Sequence, residues 1–110
     1  MDKRDGRKGR GIRTTAIHAG QHTDPVTGAV VVPIFQCSTF AFKDAQHGAD
    51  LFAGKADGYI YTRIANPTID ALQKNVAALE RGSGGLATSS GMAAIAVTCM
   101  ALLEAGDHIV

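Results

Sequence analysis

Twelve consecutive positions, Met92 to Leu103, are apolar with the single exception of Thr98. A helix that is hydrophobic all round has no face to offer to water. It is also shorter than the about 20 residues that cross a bilayer. The run therefore reads as a helix buried inside a protein, and its flanks say which kind. Leu86-Ala87-Thr88 is short and extended, Ser89-Ser90-Gly91 is a small-residue turn, Glu104-Ala105-Gly106-Asp107 closes the run, and His108-Ile109-Val110 opens a second strand. Strand, turn, helix, turn, strand is a βαβ unit interrupted in its second strand. A crossover helix of this kind needs a sheet on one side and more structure on the other. The expected class is α/β, with residues 66–110 as the beginning of a larger α/β domain.

Upstream, the strongest local signal is a helix from Pro67 to about Glu80. Asn66 is a good N-cap, Pro67 is favoured at the first helical position, and Ile69, Leu72, Val76 and Leu79 follow at helical spacing. Residues 14–65 read as an extended arm. Asp24-Pro25-Val26-Thr27-Gly28 is a turn, Ala29 to Phe35 is an edge strand or wrapped segment because Pro33 cannot serve a central strand, and Gln36 to Phe42 continues extended. Asp44 to Ala53 is a short helix that carries Ala45, Leu51 and Phe52 toward a core. Aromatics make up only 5% of the chain and Gly reaches 13 residues, so that core is expected from Ala, Val, Ile and Leu.

The net charge of +1 conceals an asymmetry, since residues 1–13 carry +4 and the remainder −3. Residues 1–13 read as a disordered, solvated tail. Lys3, Arg4, Arg7, Lys8, Arg10 and Arg13 stand among glycines with no aromatic to stack on a base, which argues against a nucleic-acid partner. No apolar run follows the basic stretch, as a secretory leader requires, and Asp2 and Asp5 count against a transit peptide. The expectation is a cytoplasmic protein without a membrane anchor. Cys37 and Cys99 form no metal-spaced pair. His18 and His22 have helical metal spacing, but Gly20 between them breaks the helix that would use it. No metal site is expected.

Two turns carry chemistry. Ser89-Ser90-Gly91-Met92 lies between a strand and a helix N-terminus, where free backbone N–H groups and the positive end of the helix dipole favour an anion. The same residues also serve simple capping. Tyr59, Tyr61 and Arg63 share one face if their segment is extended. There they can grip an oxyanion through the arginine fork and phenolic hydroxyls, or Arg63 can just pack over an aromatic ring. Neither a Walker sequence nor GxGxxG is present.

Ile17-His18-Ala19-Gly20, Pro33-Ile34-Phe35, Tyr61-Thr-Arg-Ile-Ala-Asn-Pro-Thr68 and Ser89-Ser-Gly-Met92 stand in the order and spacing of one family. From about Thr15 to Val110 the chain resembles the Cys/Met-metabolism, or trans-sulfuration, enzymes. These are pyridoxal 5'-phosphate enzymes of aspartate-aminotransferase-like fold (fold type I). The resemblance implies that the chain is an amino-terminal portion: an arm making dimer contacts, then the start of the large cofactor-binding domain. It implies that Ser90, Gly91 and Met92 bind the cofactor, with Gly91 and Met92 as backbone donors to its phosphate. It implies that Tyr61 and Arg63 reach that phosphate from the neighbouring subunit of a homo-oligomer, a dimer of dimers when complete. The reaction implied is γ-elimination or γ-replacement on a sulfur-containing, homocysteine- or homoserine-derived amino acid, closest to methionine γ-lyase and cystathionine γ-lyase or γ-synthase. An O-acylhomoserine sulfhydrylase such as the O-acetyl enzyme, or a non-catalytic module for phosphorylated ligands, is the alternative. The family's Schiff-base lysine sits in a Ser/Thr-x-Thr-Lys context that Lys3, Lys8, Lys43, Lys55 and Lys74 all lack. The chain alone is expected to be inactive.

Overall fold

The structure is a computed structural model that describes residues 11–110. The expected basic tail lies outside those residues up to position 10, whereas Ile12 and Arg13, grouped with it on sequence, form the first turn of a helix. Four helices follow one another: α1 (Ile12–His18), α2 (Ala45–Phe52), α3 (Pro67–Leu79) and α4 (Gly91–Leu102).

Helix α3 starts where local chemistry says it must. The Asn66 side chain accepts from the Thr68 amide at 2.9 Å, Pro67 fills the first turn and Asp70 faces the positive end of the dipole. Its C-terminus closes in a Schellman arrangement: Gly82 N–H reaches the Ala77 carbonyl at 2.8 Å and Arg81 N–H the Ala78 carbonyl at 3.4 Å. Arg81 occupies the left-handed position usual for glycine, at φ 56°.

Helix α1 has seven residues and no side-chain N-cap, so its existence depends on packing rather than propensity. It docks on α3. The Asn75 amide donates to the carbonyls of Thr15, Ala16 and Ala19 at 3.3, 3.0 and 2.9 Å, capping the C-terminal turn of α1 from outside. Gly20, at φ 74°, lets the chain turn directly against the α3 backbone. The helix thus ends at His18, and His22 lies beyond it.

Helix α2 is capped by Asp44, whose carboxylate accepts from His47 N–H at 2.7 Å. Of the three residues expected to face a core, Leu51 does so at 8% exposure, but Phe52 is 69% exposed and Ala45 is exposed. Phe52 instead meets Phe42 edge-on, with ring centroids 6.2 Å apart.

No β-ladder forms among the described residues. The one pairing is an antiparallel bridge between Thr39 and Tyr61, flanked by Phe40 N–H to Ile60 O at 3.2 Å and Thr62 N–H to Ser38 O at 2.8 Å. The strands expected at 86–88 and 108–110 are therefore not strands here, because neither finds a neighbour to pair with. Residues 29–35 resolve as a wrapped segment. Thr68 Oγ1 donates to Pro33 O at 2.9 Å and accepts from Phe35 N–H at 2.9 Å, clamping the Pro33–Phe35 stretch to the start of α3.

Helix α4 begins as expected but is not buried. Met92 is 71% and Met100 82% exposed, since no sheet covers them. The chain exposes 9328 Å², where a compact monomer of this mass exposes about 5,800 Å². No helix among the described residues is long and apolar enough to cross a membrane.

Candidate functional site

The tyrosine and arginine half of the site is built by a turn. The chain is bridged to the 38–40 segment through Tyr61. It then folds back, with Ile64 and Ala65 N–H both donating to the Tyr61 carbonyl at 2.8 and 3.0 Å. The extended alternation expected for Tyr59, Tyr61 and Arg63 is therefore not found: the chain bends at Ile60 and turns after Tyr61, and Tyr61 and Arg63 line one pocket that Tyr59 does not. The Arg63 guanidinium carbon lies 5.1 Å from the Tyr61 ring centroid, a cation–π contact. The packing of Arg63 over an aromatic ring is thus observed, and the stacked arginine is also an exposed cation, with no carboxylate of the described residues at ion-pair distance.

Tyr59 has a different task. Its ring packs on Phe40 with centroids 5.4 Å apart, and its hydroxyl donates to Asp70 at 3.2 Å. Burial, then the Asp70 charge and hydrogen bond, push this phenol above the ordinary tyrosine value of 10.0. Tyr59 fastens the arm to α3.

The second half lies at the N-terminus of α4. Ser90 is the N-cap, and its hydroxyl oxygen accepts from Ala93 N–H at 3.0 Å. The Ala94 amide is bound to Ser90 O at 3.1 Å, while Gly91 and Met92 N–H find no acceptor among the described residues. A Cβ built on Gly91 would meet nothing within 4 Å, and Ser90, Gly91 and Met92 are all exposed. Two free N–H groups at the positive end of a 12-residue helix, beside a hydroxyl that still has its proton to donate, fit a phosphate.

An open pocket of about 400 Å³ is lined by Thr39, Phe40, Phe42, Phe52, Ile60, Tyr61, Arg63 and Ile64. It joins Tyr61 to Arg63 but does not reach Ser90, Gly91 or Met92. The donor set fits the phosphate end of pyridoxal 5'-phosphate in two separate pieces. No lysine lines the pocket, and Lys74 is ion-paired to Asp70 at 2.6 Å. No group of three or more potential metal ligands is found among the described residues.

Asn66 and Thr68 are the site residues that sequence reasoning missed in part. Asn66 was legible as a cap, but its amide also donates to Phe35 O, 31 positions earlier, and to Thr62 Oγ1, four positions earlier. The only hint was their place inside the Tyr61 to Thr68 motif.

Residues 13–110 match the family described as Cys/Met metabolism PLP-dependent enzyme. The L-methionine gamma-lyase of Fusobacterium nucleatum subsp. nucleatum is 50% identical over 103 residues, covering 94% of this chain and 26% of that protein. The O-acetyl-L-homoserine sulfhydrylase of Leptospira meyeri is 47% identical over 97 residues, covering 88% and 22%. Among solved structures, a protein of Campylobacter jejuni subsp. jejuni assigned as an O-acetylhomoserine (thiol)-lyase superposes with a TM-score of 0.83. It is 32% identical, is covered over 24% of its length and matches 90% of this chain, and its structure carries N'-pyridoxyl-lysine-5'-monophosphate. The chain spans about a quarter of the length of these relatives. With the family matched over nearly all of the described residues, the chain belongs to the Cys/Met-metabolism family, whose cofactor is pyridoxal 5'-phosphate.

Proposed function

We propose that this chain is the phosphate-gripping part of a cytoplasmic trans-sulfuration enzyme of fold type I, comprising the arm and the opening of its large cofactor-binding domain. The reaction is γ-elimination or γ-replacement on a homocysteine- or homoserine-derived amino acid, as in methionine γ-lyase. The observation that carries this reading is the start of α4, where Gly91 and Met92 are exposed and their N–H groups find no acceptor among the described residues while Ser90 holds the helix end in shape. Those two amides donate to phosphate oxygens. Arg63 balances the phosphate charge and the Tyr61 hydroxyl adds a neutral donor, both from a second chain of a homo-oligomer, a reading supported by the pocket at Tyr61 and Arg63 not being lined by Ser90, Gly91 or Met92. When bound, the cofactor supplies the electron-withdrawing ring that makes carbon-bound protons of an amino acid acidic. The residues described here orient it by its phosphate and leave the amino-acid chemistry to groups elsewhere. On its own the chain is expected to be inactive.

Lyase and sulfhydrylase relatives are equally near, at 50% and 47% identity, so the common γ-carbon chemistry is the level at which the reaction is proposed. A second reading, a non-catalytic module for phosphorylated ligands, is favoured by one observation: Lys74 is tied to Asp70 and no lysine borders the pocket.

Equilibrium dialysis of the purified chain against pyridoxine 5'-phosphate and pyridoxine tests the grip. Neither ligand has an aldehyde, so surface lysines cannot bind it covalently. Retention that requires the phosphate and falls on Arg63→Ala is expected, and equal retention of both ligands would refute the reading. Mixing the Arg63→Ala chain with a Gly91→Val chain restores binding only if the two halves come from different chains.

A further inference from the structure

We infer that Asn66 is a positioning residue for the phosphate grip: its side-chain amide, through Thr62, fixes the turn that presents Arg63. This rests on the proposed role of Arg63 and adds to it the device that holds the arginine in place. Asn66 is 3% exposed, the most buried polar residue described. As a helix cap it needs only its oxygen, which accepts from Thr68 N–H at 2.9 Å, and aspartate would cap as well. What asparagine alone contributes is the nitrogen. Its two hydrogens go to Phe35 O and to Thr62 Oγ1, both at 3.0 Å. Thr62 can accept there because its own proton is donated to Cys37 O, and its amide donates to Ser38 O at 2.8 Å.

The consequence lies between these anchors. Arg63 follows Thr62, whose backbone and side chain are both tied to residues 37–38, and precedes Asn66, tied to Phe35. Between them the chain is closed by two hydrogen bonds to Tyr61 O. The backbone under Arg63 is thus fixed at both ends while its guanidinium stays exposed over the Tyr61 ring. An arginine on a fixed backbone loses less freedom on gripping an anion than one on a loose loop.

The test uses Asn66→Asp, which keeps the cap oxygen and removes both donations, with Thr62→Val, which removes the Asn66–Thr62 and Thr62–Cys37 bonds but leaves Asn66 able to reach Phe35 O, as a second route to loosening the turn, and Thr62→Ser as the conservative control. Two readouts are taken: amide hydrogen exchange at Thr62, Ile64 and Ala65, and affinity for pyridoxine 5'-phosphate. In Asn66→Asp and Thr62→Val, exchange at the turn accelerates while α3 stays helical, and phosphate-dependent affinity falls about tenfold. Thr62→Ser restores both. Unchanged exchange in Asn66→Asp and Thr62→Val overturns the inference. So does accelerated exchange with unchanged affinity in a chain where Arg63→Ala still weakens binding, and in that case the proposed function stands. If Arg63→Ala leaves affinity intact, the grip itself is wrong, and the positioning role falls with it even where the turn loosens.

Discussion

Gly20→Ala is the sharpest probe of how this arm is held. A Cβ built at Gly20 lies 2.3 Å from the Ala71 carbonyl oxygen and 3.1 Å from both Asn75 N and Lys74 Cβ. The nearest atom belongs to the α3 backbone and cannot swing aside. The φ of 74° adds the cost of a left-handed conformation, about 1 kcal/mol for an L residue. Relief requires α1 to move off α3, which breaks the Asn75 donations to Thr15, Ala16 and Ala19. At about 1 kcal/mol per net hydrogen bond, and counting only the two shorter ones, these contribute about 2 kcal/mol. The docking is therefore weakened by about 3 kcal/mol, and a seven-residue helix released from its support melts. Amide hydrogen exchange reads this directly. The Ala19 N–H, bonded to Thr15 O at 2.9 Å, should exchange about 100-fold faster in the variant, since each 1.4 kcal/mol is a factor of ten. The Ala53 N–H, bonded to Ala49 O in α2, serves as an internal control and should not change. Protection at Ala19 within about threefold of the parent would refute the argument that Gly20 and Asn75 hold α1 on α3.

Three further outcomes are expected. Arg81→Gly relieves the left-handed position that closes α3 and should stabilise that helix by about 1 kcal/mol, seen as slower exchange at Gly82 N–H; destabilisation would show that the arginine side chain has a contact of its own. Thr68→Val keeps shape but strands Phe35 N–H and Pro33 O, at a cost of about 1–2 kcal/mol, whereas Thr68→Ser should behave as the parent; exchange at Phe35 N–H distinguishes them. The folded chain favours the neutral Tyr59 phenol, so the unfolded phenol ionises first. The contribution of Tyr59 to stability is thus present below pH 10.0 and lost as pH rises above it toward the higher folded value. Ultraviolet titration should show a late-ionising phenol that Tyr59→Phe removes.

What was legible in the sequence was what neighbours decide. Asn66 and Ser90 each satisfy an amide within three residues, so the starts of α3 and α4 could be read directly. The docking of α1 could not, because Asn75 acts on carbonyls nearly sixty positions earlier and nothing local marks it. The setting of Arg63 was misread for a similar reason. Alternation puts it in an extended segment with Tyr59 and Tyr61, but the turn after Tyr61 is held by Thr62 and Asn66 across segments, and no Gly or Pro announces it. Phe52 reads as core from its chemistry, yet the nearby partner it finds is the ring of Phe42 at the open pocket.

Helix α4 shows why the two parts of the candidate site differ in standing. Its N-terminus is set by the Ser90 cap and by Thr88 Oγ1, which donates to Ser90 O at 2.9 Å, contacts that need nothing from elsewhere in the molecule. The unpaired amides of Gly91 and Met92, the proposed phosphate donors, are thus presented by local structure alone. The body of the same helix is a different matter. Its side chains from Ile95 to Leu102 call for a sheet, and strand pairing is non-local by nature. The one bridge among the described residues, Thr39 with Tyr61, belongs to the arm and not to that sheet. The proposed grip draws on one helix end and one pinned turn, both set by contacts within the described residues, whereas the side chains of the α4 body wait on strand pairing that those residues do not supply.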